Sequence, residues 1–313
     1  MNISLIVPYF NEEKNITYTL NQLTNQTYKA KEVIFINSNS TDNSPLIVKN
    51  FINTKKLNFY NYDTNIKSAS EAKNLGIKMS KFEWLAFMDC DMSFQENWVE
   101  MQVEYSFKFP EKKIIFGNTL LQGTNLIDQC CAINTYGLDK KNPTIPSSLV
   151  KKSIFDNNSN LFINTKSHYD SFWIKKNLYK ESSIINQKSI ITYIGTNYAS
   201  SYFDVFKKSF YYSTSLKDVY PLKAFFSIIL FFLIIFCVLK IPSLLPNLFL
   251  IYILFKIFII PLLKNKKINV FKKIKFKIHT LLLTGFLLDL GRIIGILISL
   301  FKNNKVFNHY KTK

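Results

Sequence analysis

Two aspartates, Asp89 and Asp91, directly follow an apolar stretch with the length of a buried strand, residues 82–88. Side chains at i and i+2 of a strand leave the same face, so both carboxylates are predicted to project together beyond its carboxyl end. In open α/β sheets that edge is where ligands bind. Carboxylates there suit Mg²⁺ or Mn²⁺, which takes its other ligands from water and a substrate's phosphates. The alternative is a solvated pair of acids in a surface turn.

A polar loop, residues 37–42, follows another strand-like run at residues 32–36. Free backbone N–H groups at the start of the next helix, together with the helix dipole, favour a phosphate at such a position. The same polar residues are equally explained as turn and N-cap residues. The sequence has neither G-x-G-x-x-G after its first strand nor G-x-x-x-x-G-K-[ST], so neither a usual dinucleotide-binding fold nor a P-loop is supported.

Strand-like and helical segments alternate along this part of the chain. The first run, residues 3–7, is predicted to stop at Pro8, the third covers residues 57–60, and a helix is predicted near Ala69 to Met79. Such alternation predicts βαβ units, a mainly parallel sheet and right-handed crossovers. The predicted fold class is therefore α/β.

The composition is strongly basic, with a formal charge of +19 over 313 residues. This charge allows nucleic acid, anionic lipid or a phosphorylated small molecule as a partner. No helix-turn-helix, zinc-finger or stacking motif accompanies it, so nucleic acid is not expected. The four cysteines form no C-x-x-C pair, which favours a reducing compartment over a disulfide framework or a zinc site. Residues 1–10 lack the features of a secretory signal and are predicted to form a first strand.

The ordered set of motifs resembles the family 2 glycosyltransferases, which have the GT-A fold. The resemblance depends on residues 7–13 (VPYFNEE), 35–44 (FINSNSTDNS), 69–76 (ASEAKNLG) and 87–91 (FMDCD). Each block is unspecific alone, but together they stand in the family's order and at its approximate spacing. The resemblance implies a GT-A domain, a Rossmann-like mixed sheet that binds a nucleotide-diphosphate sugar.

The resemblance also implies the members of a donor site. It places a divalent cation, Mg²⁺ or Mn²⁺, at Asp89 and Asp91, with Asp89 also contacting the nucleotide-sugar. The other nucleotide-sugar-binding residues that it implies are Pro8, Tyr9, Asn11, Glu12, Asn37, Ser38 and Lys73. Asn37 and Ser38 would lie near the base, in a loop that usually carries acids, so the identity of the base stays open. Lys73 stands where the family usually has arginine and could meet a phosphate as a point charge.

Asp170 is the residue that the resemblance identifies as the general base of an inverting reaction. The family usually has a Glu-Asp pair here, and by register the pair falls on Tyr169 and Asp170, so only the Asp is kept. Such a base takes the proton from the acceptor hydroxyl as its oxygen attacks the anomeric carbon. The alternative is structural, because Ser167-x-x-Asp170 also fits a helix capping box. The adjacent His168 is interpreted as a surface residue.

The apolar residues are concentrated after Pro221. Two runs within residues 224–263 predict a helical hairpin that spans or re-enters the membrane, since helices this apolar on all sides seldom occur in a small soluble domain. The basic loop at residues 264–277 is predicted to stay cytoplasmic and to attract anionic lipid. The catalytic domain is then predicted to be cytoplasmic too, in an integral membrane protein.

A third apolar helix is predicted at about residues 278–301. It lies either at the membrane surface or against the hairpin within the bilayer, and its Asp289 and Arg292 can pair. The topology of the tail, residues 303–313, stays open.

These observations predict a GT-A glycosyltransferase domain at residues 1–219 and an all-α membrane region at residues 220–313. The predicted function is transfer of a sugar from a nucleotide-diphosphate donor to a lipid-linked or polysaccharide acceptor in cell-envelope glycan synthesis. The missing loop acids, and Tyr169 in place of Glu, leave open a non-catalytic nucleotide-sugar-binding subunit of a glycan assembly complex. A basic peripheral protein that binds anionic lipid or nucleic acid is the third hypothesis.

Overall fold

The computed structural model describes residues 1–55, 58–138, 140–165, 167–193, 201–265 and 269–301. The chain divides into two compact units, the first containing residues 1–120 and 141–195 and the second residues 121–140 and 196–305. The second unit thus includes segments that precede residue 220, and the predicted domain boundary at 219/220 stays a prediction. The predicted tail at 303–313 and residues 266–268 of the basic loop lie outside the described residues.

Among the described residues, eight strands form one mixed sheet in the first unit. They are β1 Ile3–Tyr9, β2 Glu32–Ser38, β3 Phe59–Thr64, β4 Trp84–Phe87, β5 Met92–Ser93, β6 Ile114–Leu120, β7 Asn142–Lys151 and β8 Ser183–Tyr193. Their order is β3-β2-β1-β4-β7-β6-β8-β5. The strands from β3 to β4 are parallel, whereas β7 is antiparallel to both β4 and β6. The predicted α/β class with a Rossmann-like mixed sheet is confirmed.

β1 is buried along its whole length because both faces of the sheet are covered. Its side chains alternate between two apolar cores, with Leu5 beside Phe35 in one core and Ile6 beside Phe87 in the other. The prediction that β1 stops at Pro8 is wrong, since the strand continues to Tyr9. β4 ends opposite Ile6, so the missing N–H of Pro8 falls where β1 no longer has a neighbour on that side.

β3 begins later and runs further than the predicted residues 57–60. It lies at the edge of the sheet, and its partly exposed polar side chains give no apolar alternation for the sequence to reveal. The register with β2 sets Asn37 opposite Asp63. The extra length therefore carries Asn61 and Asp63 to the edge where β2 and its polar loop end.

The first unit also contains α-helices that connect and flank the strands. They are α1 Ile16–Asn25, α2 Ser44–Lys55, α3 Ala69–Met79, α4 Trp98–Lys108 and, after one helix of the second unit (α5), α6 Tyr169–Asn177. α3 begins at Ser68, whose side chain accepts a hydrogen bond from the N–H of Glu71. It packs against β1 at Gly76, where a Cβ atom would clash with Cγ2 of Ile6 and lie 3.3 Å from Cγ1. Lys73 precedes Gly76 by one turn on the same face, so this close packing also positions Lys73.

The second unit is helical throughout its described part. Its helices are α5 Leu126–Asn134, α7 Tyr202–Ser213, α8 Leu216–Val219, α9 Pro221–Lys240, α10 Leu245–Leu254, α11 Ile260–Lys264, α12 Val270–Lys273 and α13 Ile278–Phe301, with a π-helical turn at Phe255–Ile259. The predicted all-α region is thus confirmed, although α5, α7 and α8 join it from earlier in the chain.

In the part of the chain that the structure describes, three helical segments are long and apolar enough to cross a membrane: Pro221–Lys240, Pro242–Lys264 and Ile278–Phe301. The first two correspond to the predicted hairpin and the last to the predicted third helix, which indicates membrane association. α13 packs closely on α7, because Gly291 and Gly295 leave no side chain between the two backbones. One face of α13 is therefore covered by protein.

Replacing Gly76 by Ala is expected to destabilise the protein by about 1–3 kcal/mol, because the new methyl group overpacks the contact between α3 and β1. Thermal and denaturant unfolding of the purified full chain would measure this change. In an Ile6→Ala background the same substitution should cost much less, since the clashing side chain is gone. Equal losses in both backgrounds would show that the contact between Gly76 and Ile6 is not the cause.

Candidate active site

Lys73 lies at the centre of the candidate site, and its side chain is completely buried. Its ammonium is 3.2 Å from Oδ1 of Asp89 and 3.5 Å from Oδ2 of Asp170. Burial by itself lowers the pKa of Lys73, but Asp170 and Asp89 outweigh it and raise that pKa well above its ordinary value. The lysine is therefore charged and joins two acids that are far apart in the sequence.

Asp170 lies at the start of α6, but not as part of a capping box. The N-cap is His168, which has a left-handed backbone (φ 65) and no side-chain cap bond, so the Ser167–Asp170 alternative is wrong. Oδ2 of Asp170 faces Lys73, while its Oδ1 is buried with no hydrogen-bond partner among the described residues. Burial raises the pKa of Asp170 to about 6, against the opposing effect of Lys73. The carboxylate is thus mostly ionised at neutral pH, which is the state that a general base requires.

Tyr169 occupies the position at which the resemblance implies Glu. Its hydroxyl accepts a hydrogen bond from Lys73 at 3.2 Å, and the ammonium lies 5.1 Å from the centre of its ring. Burial, with the charge of Asp170, raises the pKa of Tyr169, so the phenol stays neutral. The tyrosine therefore helps to hold Lys73 without adding a third carboxylate.

Asp89 and Asp91 lie beyond the end of β4 at Phe87, in a turn rather than on the pleat of the strand. The alternation argument thus does not describe them, and they take different partners, Lys73 for Asp89 and Tyr193 for Asp91. Their charges nevertheless interact. Burial, then Asp89 and Glu12, raise the pKa of Asp91 to about 7, and burial also raises the pKa of Glu12.

The residues present fit a divalent cation. The charge of Lys73 does not balance the nearby acids Glu12, Asp89, Asp91 and Asp170. Burial first, and then the charges of Asp89 and Glu12, raise the pKa of Asp91. Within the described ranges, no group of three or more His, Cys, Asp or Glu side chains forms a protein-only metal cage. This arrangement suits Mg²⁺ or Mn²⁺, which takes one or two carboxylates and completes its shell with water and phosphate.

Asn11 and Glu12 join the loop after β1 to the loop after β2. Oδ1 of Asn11 accepts from the N–H of Thr41 at 2.8 Å, and the N–H of Glu12 donates to Oγ of Ser44 at 2.8 Å. Asn11 is exposed and has a positive φ of 53, which Asn tolerates better than most residues. These contacts hold two loops of the sheet edge together beside the acids.

A polar network connects the ends of β1, β2 and β3. Nδ2 of Asn37 donates to Oδ1 of Asp63 at 2.9 Å, Nδ2 of Asn61 donates to the same oxygen at 3.3 Å, and the hydroxyl of Tyr9 donates to Oδ1 of Asn61 at 2.9 Å. Asp63 is exposed. Two amides thus orient one oxygen of an exposed carboxylate at the edge where the polar loop begins.

The structure brings several of the predicted site residues together and leaves others apart. Lys73 joins Asp89 to Asp170, Glu12 interacts with Asp89, and Tyr9 and Asn37 are joined through β3. Ser38 is buried at the end of β2, and Pro8 is buried within β1. The structure places these side chains, and their roles in binding stay predictions.

Asp63, Asn61 and Tyr193 are missing from the residues identified in the sequence. The displaced prediction of β3 hid the first two, because a polar edge strand has no apolar period to mark its end. Tyr193, at the end of β8, reaches Asp91 only through the fold.

The buried cysteines behave as packing residues. Cys90, Cys130 and Cys131 are buried, and burial raises the pKa of Cys90 well above its usual range. A thiol of this kind is a poor nucleophile.

Part of this chain is similar to known proteins. Residues 4–125 match the sequence profile described as Glycosyl transferase family 2. The chain is 29% identical over 154 residues to the poly(ribitol-phosphate) beta-N-acetylglucosaminyltransferase TarP of Staphylococcus aureus, over 48% of this chain and 41% of TarP. It is 26% identical over 125 residues to the poly-beta-1,6-N-acetyl-D-glucosamine synthase of Staphylococcus epidermidis, over 40% of this chain and 30% of the synthase. The matches thus span less than half of each relative.

A solved structure resembles the chain over a larger part of its length. It is the mannosyltransferase PcManGT of Pyrobaculum calidifontis in complex with GDP-Man and Mn²⁺, which is 15% identical, covers 68% of this chain and 62% of that chain, and has a TM-score of 0.49.

Replacing Lys73 by Met should destabilise the protein by roughly 2 kcal/mol, less than the 3–5 kcal/mol typical of breaking a fully buried pair, because both acids are partly exposed. The Lys78→Met variant is a matched control, since Lys78 is on the same helix but exposed. Thermal unfolding of both variants would measure the difference. Similar stability of the two variants would contradict a structural role for the ammonium.

Proposed function

Because residues 4–125 match the profile of glycosyl transferase family 2, we propose that this chain transfers a sugar from a nucleotide-diphosphate donor to an acceptor at a membrane. The observation that carries the proposal is the arrangement around Lys73. Asp89, which lies in the turn after β4 that holds both aspartates (the paired-acid turn), and Asp170 of α6 are within 3.5 Å of the Lys73 ammonium. A donor-binding acid and a candidate base thus meet at the carboxyl edge of the sheet, where α/β proteins bind ligands.

Asp89 and Asp91 would hold Mg²⁺ or Mn²⁺, which supplies positive charge to the departing diphosphate. Glu12 stands close enough to both aspartates to add to the field that attracts the cation. Lys73 keeps Asp89 oriented and reduces the repulsion among the acids. The family relation supports donor binding by these residues, and the charge excess supports the cation.

Asp170 would act as the general base of an inverting reaction. Its carboxylate, on a side chain that is 31% exposed and paired with Lys73, would accept the proton of an acceptor hydroxyl. Lys73 keeps the carboxylate largely ionised at neutral pH by opposing the effect of burial. The chain thus contributes a positioned base and excludes water from one of its oxygens.

Asp63 would recognise the base of the nucleotide. Asn37 and Asn61 hold its Oδ1, which leaves Oδ2 to accept a hydrogen bond from a ligand. Uracil, thymine and guanine present a ring N–H that suits a carboxylate, whereas adenine does not. The carboxylate expected in the loop after β2 would thus be supplied by β3 instead.

The acceptor would be a lipid-linked or polysaccharide chain of the cell envelope. The two relatives are named for transfer to poly(ribitol-phosphate) and for synthesis of poly-beta-1,6-N-acetyl-D-glucosamine. The apolar helical segments would hold the enzyme at the membrane, which raises its effective concentration near a lipid-bound acceptor. We place the catalytic part in the cytoplasm because of the basic loop at residues 264–277.

Asp91→Asn and Asp170→Asn should fail in different ways. With Mn²⁺ and a panel of uridine, guanosine and thymidine diphosphate sugars, Asp91→Asn is expected to lose cation-dependent donor binding, because a cation ligand loses its charge. Asp170→Asn should bind donor normally but lose at least about 100-fold in transfer rate, because an amide cannot accept the proton. Calorimetry and transfer assays measure the two effects.

Asp156→Asn is the control for both variants, since Asp156 is exposed and outside the site. An unchanged transfer rate in Asp170→Asn would contradict the role of Asp170 as the general base. Cation-dependent donor binding without turnover in the unaltered protein, unchanged by Asp170→Asn, would support the non-catalytic subunit instead.

Asp63→Ala is expected to weaken binding of uridine or guanosine diphosphate by about tenfold, the effect of losing one charged hydrogen bond. Binding of adenosine diphosphate, which has no ring N–H to donate, serves as the control in the same calorimetric titration. An equal loss for all three nucleotides, or none for any, would rule out recognition of the base by Asp63.

A further inference from the structure

A second group of charged side chains lies among the apolar helices of the second unit. Asp289 of α13 is contacted by Nζ of Lys256 at 2.5 Å, by the hydroxyl of Tyr252 at 3.1 Å and by Nη1 of Arg292 at 3.2 Å. The pair of Asp289 and Arg292 predicted from their spacing is thus confirmed. Both oxygens of this carboxylate are occupied by donors.

The charges of this group do not balance. Lys264, which is close enough for the charges of Lys256 and Arg292 to act on it, donates at 2.6 Å to the carbonyls of Asn134 and Thr135 rather than to an acid. The single negative charge of Asp289 is therefore outnumbered by the positive charges of Lys256, Lys264 and Arg292. Positive charge among apolar helices is costly unless an anion compensates for it.

Arg292 has donors left for a ligand. Its side chain is 41% exposed and uses one nitrogen for Asp289, whereas a guanidinium carries five N–H donors in a planar fork. That fork fits a phosphate with two parallel hydrogen bonds, which Lys cannot reproduce. The exposed cation therefore favours a phosphate over an arbitrary anion.

A further feature indicates a built site rather than a simple helix contact. Lys256 is buried within the π-helical turn at Phe255–Ile259, and such turns often mark functional positions.

We propose that Lys256, Lys264 and Arg292 bind the phosphate group of a lipid. The neighbouring helices expose large apolar side chains, with Phe249 61% and Phe255 45% exposed, and a lipid tail would cover such a surface. The identity of this lipid as the carrier of the acceptor rests on the proposed function. The binding of a lipid phosphate by these cations is independent of the proposed function.

The test uses the purified full chain in phosphatidylcholine nanodiscs with a radiolabelled polyprenyl phosphate as the probe. Saturable binding that excess phosphatidylglycerol does not displace identifies a carrier-type lipid, and displacement by phosphatidylglycerol identifies lipid phosphate in general. Either result supports the proposal. Absence of saturable binding, or equal displacement by inorganic phosphate, would overturn it.

Arg292→Gln should weaken this binding by about tenfold or more, as expected for the loss of charged hydrogen bonds. Lys240→Gln is the matched control, because Lys240 is an exposed cation at the end of α9. Arg292→Lys keeps a charge beside Asp289 and should lose binding several-fold, so it decides the matter if Arg292→Gln does not fold. Binding by Arg292→Lys equal to that of the unaltered chain would overturn the proposal.

The same titration on Asp91→Ala, without donor, separates this inference from the proposed function. Lipid binding should be unchanged there. Lipid binding that depends on Arg292, in a chain that transfers no sugar, would support the lipid site and contradict the proposed enzyme activity. Sugar transfer without such lipid binding would support the enzyme activity and contradict the lipid site.

Discussion

The ion pairs of Lys73 are the constraint on which the candidate active site depends. An ammonium with no exposed surface is stable only if carboxylates compensate for its charge. Asp89 and Asp170 do so from segments that are distant in the sequence. The packing of α3 on β1, the turn after β4 and the start of α6 must therefore all form before the lysine is satisfied.

The same constraint supports the proposal that the site binds a cation. Each acid placed near Lys73 lowers the cost of burying the lysine, but Glu12 and Asp91 add more negative charge than one ammonium can balance. Burial then raises the pKa of Asp91 to about 7. A divalent ion would offset the excess of negative charge, and a diphosphate would complete the coordination shell of that ion.

The two units show opposite imbalances of charge. Acids exceed cations around Lys73, whereas cations exceed the single acid around Asp289. In both places the side chains stabilise one another only in part, since a fully neutral internal network would have no electrostatic reason to bind a ligand. The sign of each imbalance indicates what would complete it, a metal cation in the first unit and a phosphate in the second.

The amino-acid sequence by itself determined the alternating strands and helices, the three apolar helical segments and the acids of the paired-acid turn. Hydrophobic period, composition and motif order are local properties, so they can be read from the sequence alone. Only the tertiary structure decided that Asp89 and Asp91 lie in a turn with different partners, and that Tyr169 supports Lys73. It also decided that β3 brings Asp63 against Asn37, because a polar edge strand has no apolar period to mark its end. These contacts join residues that are far apart in the chain, and their distances depend on how the sheet and helices pack rather than on any spacing in the sequence.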